Sequence, residues 1–453
     1  MNDEVGEGVG ALLHDVRAAL PGGLGAGSVR ETGTGALPSR YDVTGLAVAS
    51  VGAACAELAA LAGRDEAILV DRALASGWFG FSVRPMGWEL PPVWDAIAGV
   101  YPTRDGCIRL HTNAPHHRAA ALAALGCEAD RDAIAAVIAE RTGDDVEAAI
   151  VAANGCAARL RPAAEWAEHP QGRAVAAEPL IAWEQFGSVY TLAPAIDPAR
   201  PLAGVRVLDL TRVLAGPVCT RFLAAFGADV LRVDPPGWGE AVLEPEVTIG
   251  KRCATLDLRS AEGAATLRAL AADADLLVHG YRPGALRGLG LDPETLRAAN
   301  PGLIDVSLCA WGWTGPWAER RGYDSLVQMS CGLAADGEET SAPDPLPVQA
   351  LDQGTGYLMA AAAVRALRLR RETGQVTSAR TSLARTAVWL AGTLGADTSE
   401  AHPEETDQSL TPEIEETVWG RARRLRFPGS VQGIEVRWAG PARPLHGDAP
   451  VWA

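Results

Sequence analysis

Residues 201–234 read PLAGVRVLDLTRVLAGPVCTRFLAAFGADVLRVD. An apolar run, Val205 to Leu210, leads into the small-residue turn Ala215-Gly216-Pro217. An amphipathic helix is predicted next, and then a second apolar run that ends on Asp234. Both runs are almost continuously apolar, the pattern of parallel strands covered on both faces. A helix opened by Ala-Gly-Pro leaves its first backbone N–H groups free for an anion or a nucleotide-like ligand. The same pattern also suits a buried βαβ unit that binds nothing.

Working outward, 453 residues exceed what one compact core accommodates, so two or three domains are expected. With 48% apolar and 21% charged residues, the composition is globular. Forty basic against 56 acidic residues give a formal charge of -16, which argues against a nucleic-acid partner. A local arginine cluster could still hold a small anion. The eight cysteines form no CxxC pair and several lie in apolar runs, so they read as reduced and buried. MNDEVGEGVG has neither a basic n-region nor an apolar h-region, and no run of 18 apolar residues occurs. A cytoplasmic protein without a membrane partner is the expectation.

Four stretches are expected. Residues 1–100 form an N-terminal helical region whose first 40 residues, rich in glycine, should pack loosely. Residues 101–195 form a small α+β domain, with helices near 117–125 and 131–153 and a break near Thr142-Gly143. Residues 196–392 form a Rossmann-like, doubly wound parallel sheet, and residues 393–453 an acidic connection with a β-rich tail. Residues 42–80 echo residues 352–392: Asp42-x-x-Gly45 and Asp352-x-x-x-Gly356 each open an Ala-rich helix, followed by a strand and a second helix.

Five blocks give the chain a recognisable profile. They are PLAGVRVLDLTRVLAGP with GADVLRVDPP; GKRCATLDLRSAEG; ADLLVHGYRPGALRGLGL; NPGLIDVSLCAWGWTGPW with RGYDSLVQMSCG; and ALDQGTGYLMAAAAVRALRLRRETG. In this order they resemble the family III CoA-transferases, the group of the formyl-CoA and carnitine CoA-transferases and α-methylacyl-CoA racemase. Residues 104–173 are similar to that family's small domain, which here precedes the large domain instead of following it. Residues 42–80 then read as the remnant of a degenerate large domain.

The resemblance implies that Asp352 is a nucleophile whose carboxylate, ionised at neutral pH, attacks an acyl-CoA thioester. An aspartyl anhydride and then an aspartyl-CoA thioester would follow, and a second carboxylic acid would take the CoA. Read on its own residues, Asp352 could equally be a helix cap. By the same resemblance Val213, Leu214 and Ala215 line the pantetheine or adenine, and Leu256 and Arg259 flank the nucleotide. Tyr281 and Arg282 match an aromatic-Arg-Pro-Gly block, and Arg321 and Tyr323 face CoA and the acyl group. Coenzyme A is thus expected as substrate, with no separate cofactor, and an intimate homodimer as the assembly. Gly280 replaces the family's usual Asn, and Arg287 precedes Gly288 where an Arg is common.

Two rivals stand beside this reading. The racemase branch has a His where this chain has Tyr323, because α-proton exchange needs a base and an acid. A silent CoA-binding paralogue is the other. His111, His116 and His117 in HTNAPHHR have no carboxylate or Cys at ligand spacing, so they read as a polar turn and helix start, and no metal is expected. Asp234 mimics a ribose-binding acid, but no GxGxxG accompanies it.

Overall fold

The computed structural model describes residues 5–25, 27–189, 195–337, 339–394, 401 and 404–453. Its centre is a seven-stranded sheet. In spatial order the strands are Arg252–Thr255, Asp229–Asp234, Arg206–Leu210, Leu276–His279, Ile304–Cys309, Gln375–Ser382 and Ala182–Ser188. The first six are parallel and follow the doubly wound order, in which the chain reverses direction across the sheet between Arg206–Leu210 and Leu276–His279. Apolar side chains on both faces drive this arrangement: Val207, Leu208, Leu231, Leu276, Leu277, Val278 and Val306 are fully buried. The seventh strand, Ala182–Ser188, runs antiparallel along Gln375–Ser382. Its sequence, AWEQFGS, lacks a strongly apolar period, and nothing in it announced a strand.

The helix Ala215–Ala225 departs from the amphipathic expectation, because all of its residues are buried. The long helix Ala350–Thr373 lies against it, and the C-terminal tail closes over it, Trp438 Nε1 donating to the Arg221 carbonyl at 3.2 Å. The tail also covers the sheet edge at Arg252–Thr255, where Cys253 N–H donates to Asp448 Oδ2 at 2.8 Å. Its regular strands are short: Glu415–Thr417, Gly420–Arg424 and Gly429–Ser430. Much of the acidic connection, 395–400 and 402–403, falls outside the described residues.

The opening segment does not pack loosely. Glu7–Ala19 is a helix that buries Val9, Leu12 and Val16, and Val29–Thr32 pairs in parallel with Ile68–Asp71. The helix Val43–Leu61 is, by length and composition alone, apolar enough to cross a membrane, with a mean hydropathy of 1.6. Here it is a core element packed along Ala350–Thr373. Its one acid, the fully buried Glu57, accepts from Arg365 Nε at 2.8 Å and Nη2 at 2.7 Å. The helix–strand–helix order of Val43–Leu61, Ile68–Asp71 and Arg72–Phe79 recurs in Ala350–Thr373, Gln375–Ser382 and Leu383–Ala391. The two copies feed different sheets.

A small α+β unit comprises the antiparallel strands Gly99–Thr103, Gly106–Leu110 and Ala157–Arg159 and three helices, Pro115–Leu125, Arg131–Ala139 and Gly143–Ala152. Tyr101, Ile108, Leu110, Ile134, Ile138, Val146 and Ile150 form its core. It packs through two of its strands on the helix Asp324–Ser330, with Arg161 N–H donating to Met329 O at 3.0 Å. Arg320 reaches back into it, donating to Glu147 Oε1 and the Ala157 carbonyl, both at 2.6 Å. Small unit and large sheet therefore meet within one chain.

Candidate active site

The strand order reverses between Arg206–Leu210 and Leu276–His279, so the loops after Leu210 and after His279 flank a switch point of the kind at which open α/β sheets bind ligands. Val213, in the first loop, has φ of 65°, a left-handed conformation that a β-branched residue seldom adopts. Its N–H donates to Glu240 Oε1 at 2.6 Å, which fixes the turn before the helix Ala215–Ala225. Leu214 and Ala215 are buried behind it. Arg212, which sequence reasoning missed, lies 5.0 Å from the Trp238 ring centroid and 5.2 Å from that of Tyr281. Its Nη2 donates to the Tyr281 hydroxyl at 2.9 Å, joining the two loops. A basic residue directly after the first apolar strand was the available signal. Asp234 is occupied by Arg232, whose Nε donates to it at 2.8 Å, and does not serve as a free ribose-binding acid.

The second loop carries Tyr281 and Arg282. Arg282 Nη1 donates to the Glu319 carbonyl at 2.8 Å, and Arg321 Nη1 donates to Asn154 Oδ1 of the small unit at 3.0 Å. Tyr281 and Arg282 thus share the loop that Arg212 ties to the Val213–Ala215 turn, while Arg321 reaches the small unit. Leu256 is buried in the apolar cluster on which Tyr281 rests. Arg259 is exposed, and its recorded bond is local, from its backbone N–H to Asp257 Oδ1 at 3.0 Å. The structure does not join Arg259 to the other arginines.

Asp352 occupies the first turn of Ala350–Thr373. Two glycines just after that turn explain how it is seated. A Cβ at Gly356 would stand 2.5 Å from the Ala215 carbonyl oxygen, so only glycine lets the helix approach the Ala-Gly-Pro turn this closely. Gly354 sits against Leu46 of the helix Val43–Leu61. The Asp352 backbone N–H donates to Asp324 Oδ2 at 2.9 Å. Asp324 is completely buried and also accepts from Gln328 Nε2 at 2.5 Å, and Gln328 Oε1 in turn accepts from Leu346 N–H at 2.9 Å. Burial pushes the Asp324 carboxyl up to about 6, against the pull of these N–H donors. Burial and the neighbouring Asp324 raise Asp352 well above the usual carboxylate range. Both carboxyls therefore favour their protonated forms more than a free aspartate does.

The histidines change role. His111 follows the strand Gly106–Leu110 of the small unit, and its ring stacks on Tyr323 with centroids 3.7 Å apart and planes parallel. His117 Nδ1 lies 3.3 Å from the Tyr323 hydroxyl. Two imidazoles of the small unit thus flank Tyr323. Burial lowers both rings to about 3, helped for His111 by His117 and Arg109 and for His117 by His116, Arg321 and Arg282. They are neutral at physiological pH. Sequence distance hid them, since more than 200 residues separate His117 from Tyr323.

Comparison with known proteins gives this site a context. Residues 202–415 match CoA-transferase family III. A succinyl-CoA–D-citramalate CoA-transferase of Chloroflexus aurantiacus is 36% identical over 192 residues, covering 39% of this chain and 48% of that protein. A probable fatty acyl-CoA transferase of Mycobacterium tuberculosis is 35% identical over 214 residues, covering 44% and 54%. A formyl-CoA:oxalate CoA-transferase of Rhodopseudomonas palustris is 35% identical over 193 residues, covering 39% and 44%. The chain spans about half the length of the curated relatives it matches. The crystal structure of a hypothetical protein from M. tuberculosis is 34% identical, with a TM-score of 0.40 over 43% of this chain and 58% of that one. The family match begins after the small unit, so the histidines lie outside it.

Proposed function

We propose that this protein transfers coenzyme A between carboxylic acids, with Asp352 as the covalent nucleophile. The observation that carries the reading is the buried Asp324–Asp352 pair beside the Ala215 turn, inside a segment matching CoA-transferase family III. In the first step the Asp352 carboxylate adds to the thioester carbonyl and the C–S bond breaks, leaving an aspartyl anhydride and CoA thiolate. The thiolate then attacks the aspartyl carbonyl, releases the donor acid as carboxylate, and forms an aspartyl-CoA thioester. An acceptor carboxylate reverses both steps, and Asp352 is regenerated.

Arg212, Arg282 and Arg321 are the phosphate-binding candidates, since guanidinium forks match phosphate oxygens. Val213 to Ala215 and Tyr281 would border the pantetheine, and Leu256 and Arg259 the nucleotide. CoA is substrate, and the proposed chemistry calls for no separate cofactor. The resemblance to the family supports a homodimer, and a cytoplasmic setting fits a reaction on soluble acyl-CoAs.

Incubation with acyl-CoA followed by hydroxylamine should leave a hydroxamate on Asp352, read by peptide mass spectrometry. Asp352→Asn should bind CoA yet lose the label and the transfer. Retained transfer in Asp352→Asn, or a label at Asp324 or Asp42, overturns the mechanism. The His117–Tyr323 contact favours a second reading, exchange of the acyl α-proton. That reading predicts deuterium uptake from heavy water without any hydroxamate.

A further inference from the structure

The helix Ala350–Thr373 is capped from outside. Gln349, which precedes it, makes no side-chain cap, so its first N–H groups need another acceptor. Asp324 supplies one from the neighbouring helix Asp324–Ser330. Its Oδ2 accepts the Asp352 N–H at 2.9 Å, and the Leu351 N–H also favours its charged form. Its Oδ1 accepts from Gln328 Nε2 at 2.5 Å, and Gln328 is anchored in turn by the Leu346 N–H at 2.9 Å. Asp324 is fully buried, and among the described residues no cation forms an ion pair with it.

The Asp352 carboxylate is treated in the opposite way. Among the described residues no group donates a hydrogen bond to it, and only burial and the charge of Asp324 act on it. The donors of the turn serve Asp324, and the nucleophile keeps its basicity. Arg109, on the strand Gly106–Leu110, favours the ionised Asp324 from a distance. The other cations on elements packed against Asp324–Ser330 are engaged elsewhere. Arg159 pairs with Asp144 and Glu165, Arg161 pairs with Glu147 at 2.9 Å, and Arg385 Nε donates to the Glu178 carbonyl at 2.8 Å. His111 and His117, beside Tyr323, are neutral at physiological pH.

We propose that Asp324 is a positioning residue that seats the first turn of Ala350–Thr373 and, by its like charge, favours the acylated forms of Asp352. The inference rests on the CoA-transferase reading. When Asp352 adds to the thioester carbonyl and the C–S bond breaks, the negative charge leaves on sulfur. Position 352 then carries an uncharged anhydride, and after thiolate attack an uncharged thioester. Repulsion between the two ionised acids is present before acylation and absent after it. The covalent states gain relative to the free carboxylate, although Asp324 bonds to no reacting atom.

Two variants separate the charge from the hydrogen bonds. Asp324→Asn keeps an acceptor for the Asp352 N–H but turns an NH2 group towards Gln328 Nε2. Asp324→Asn combined with Gln328→Glu restores that contact and the one to Leu346, and moves the charge one side chain away from Asp352. The double variant therefore keeps the brace if the single one fails to fold. The readouts are the yield of Asp352 hydroxamate from a fixed acyl-CoA concentration and the acid limb of kcat/KM. In the double variant the yield should fall at least fivefold, and the limb should move at least one pH unit lower, because the like charge has receded. Wild-type yield and pH profile in the double variant would reduce Asp324 to a hydrogen-bonding brace and overturn the proposal. A lowered yield with an unmoved limb overturns it too. If wild-type protein forms no hydroxamate, the transferase reading itself fails and takes this role with it; if wild type labels and the double variant matches it, this role alone is lost.

Discussion

At the scale of single residues, the acid pair dictates how the protein should respond to pH. Both carboxyls are raised, so the folded state favours their protonated forms. Their contribution to stability is complete below the ordinary Asp value of about 3.8 and is lost as pH rises through the raised values. Asp352→Asn should therefore be more resistant to unfolding than wild type at pH 8, with the gap closing below about pH 4; denaturant titrations across that range measure it. His111 and His117 act in the opposite sense. Lowered to about 3, they contribute stability that is present above the ordinary His value of about 6.5 and lost as pH falls below it. In catalysis the pair should place the acid limb of kcat/KM near pH 6 or above, where a free aspartate would put it near 4. An acid limb at 4 would mean that the two carboxyls do not titrate together.

Among elements, one carboxylate ties three distant parts of the chain. The fully buried Glu246 accepts from Ser82 N–H at 2.9 Å, Ser82 Oγ at 2.8 Å and Val83 N–H at 3.0 Å, and it pairs with Arg221 and with Arg424 of the strand Gly420–Arg424. Burial would raise its carboxyl, but Arg221 and Arg424 hold it below the usual range. Glu246→Ala should cost about 3–5 kcal/mol, since it strands two buried guanidiniums, and calorimetric melting should show it. The Glu246–Arg424 pair was not legible beforehand, because partners 178 residues apart leave no periodic trace. The parallel sheet was legible for the converse reason: strands buried on both faces, such as Val205 to Leu210, must be apolar throughout. Arg212 and the strand Ala182–Ser188 escaped, one because a lone Arg after a strand looks like surface charge, the other because an edge strand needs little apolar patterning. His111 and His117 escaped because stacking on Tyr323 is a tertiary event.

For the molecule as a whole, the decisive feature is that the small unit packs on the helix carrying Asp324 of its own chain. Activity per chain should accordingly stay constant on dilution from micromolar to nanomolar concentration, whatever assembly sedimentation reports. A fall in specific activity on dilution would show that a second chain completes the site. The pairing of Val43–Leu61 with Ala350–Thr373 carries a different consequence, one for synthesis. The apolar helix leaves the ribosome nearly 300 residues before its covering partner exists. At roughly 5–20 residues per second, it waits roughly 15–60 s without its principal contact. During that interval the nascent chain displays a segment apolar enough to engage a membrane or another copy of itself. Slow translation should therefore raise the aggregated fraction, and the last-made half of this protein acts, in effect, as the chaperone of the first.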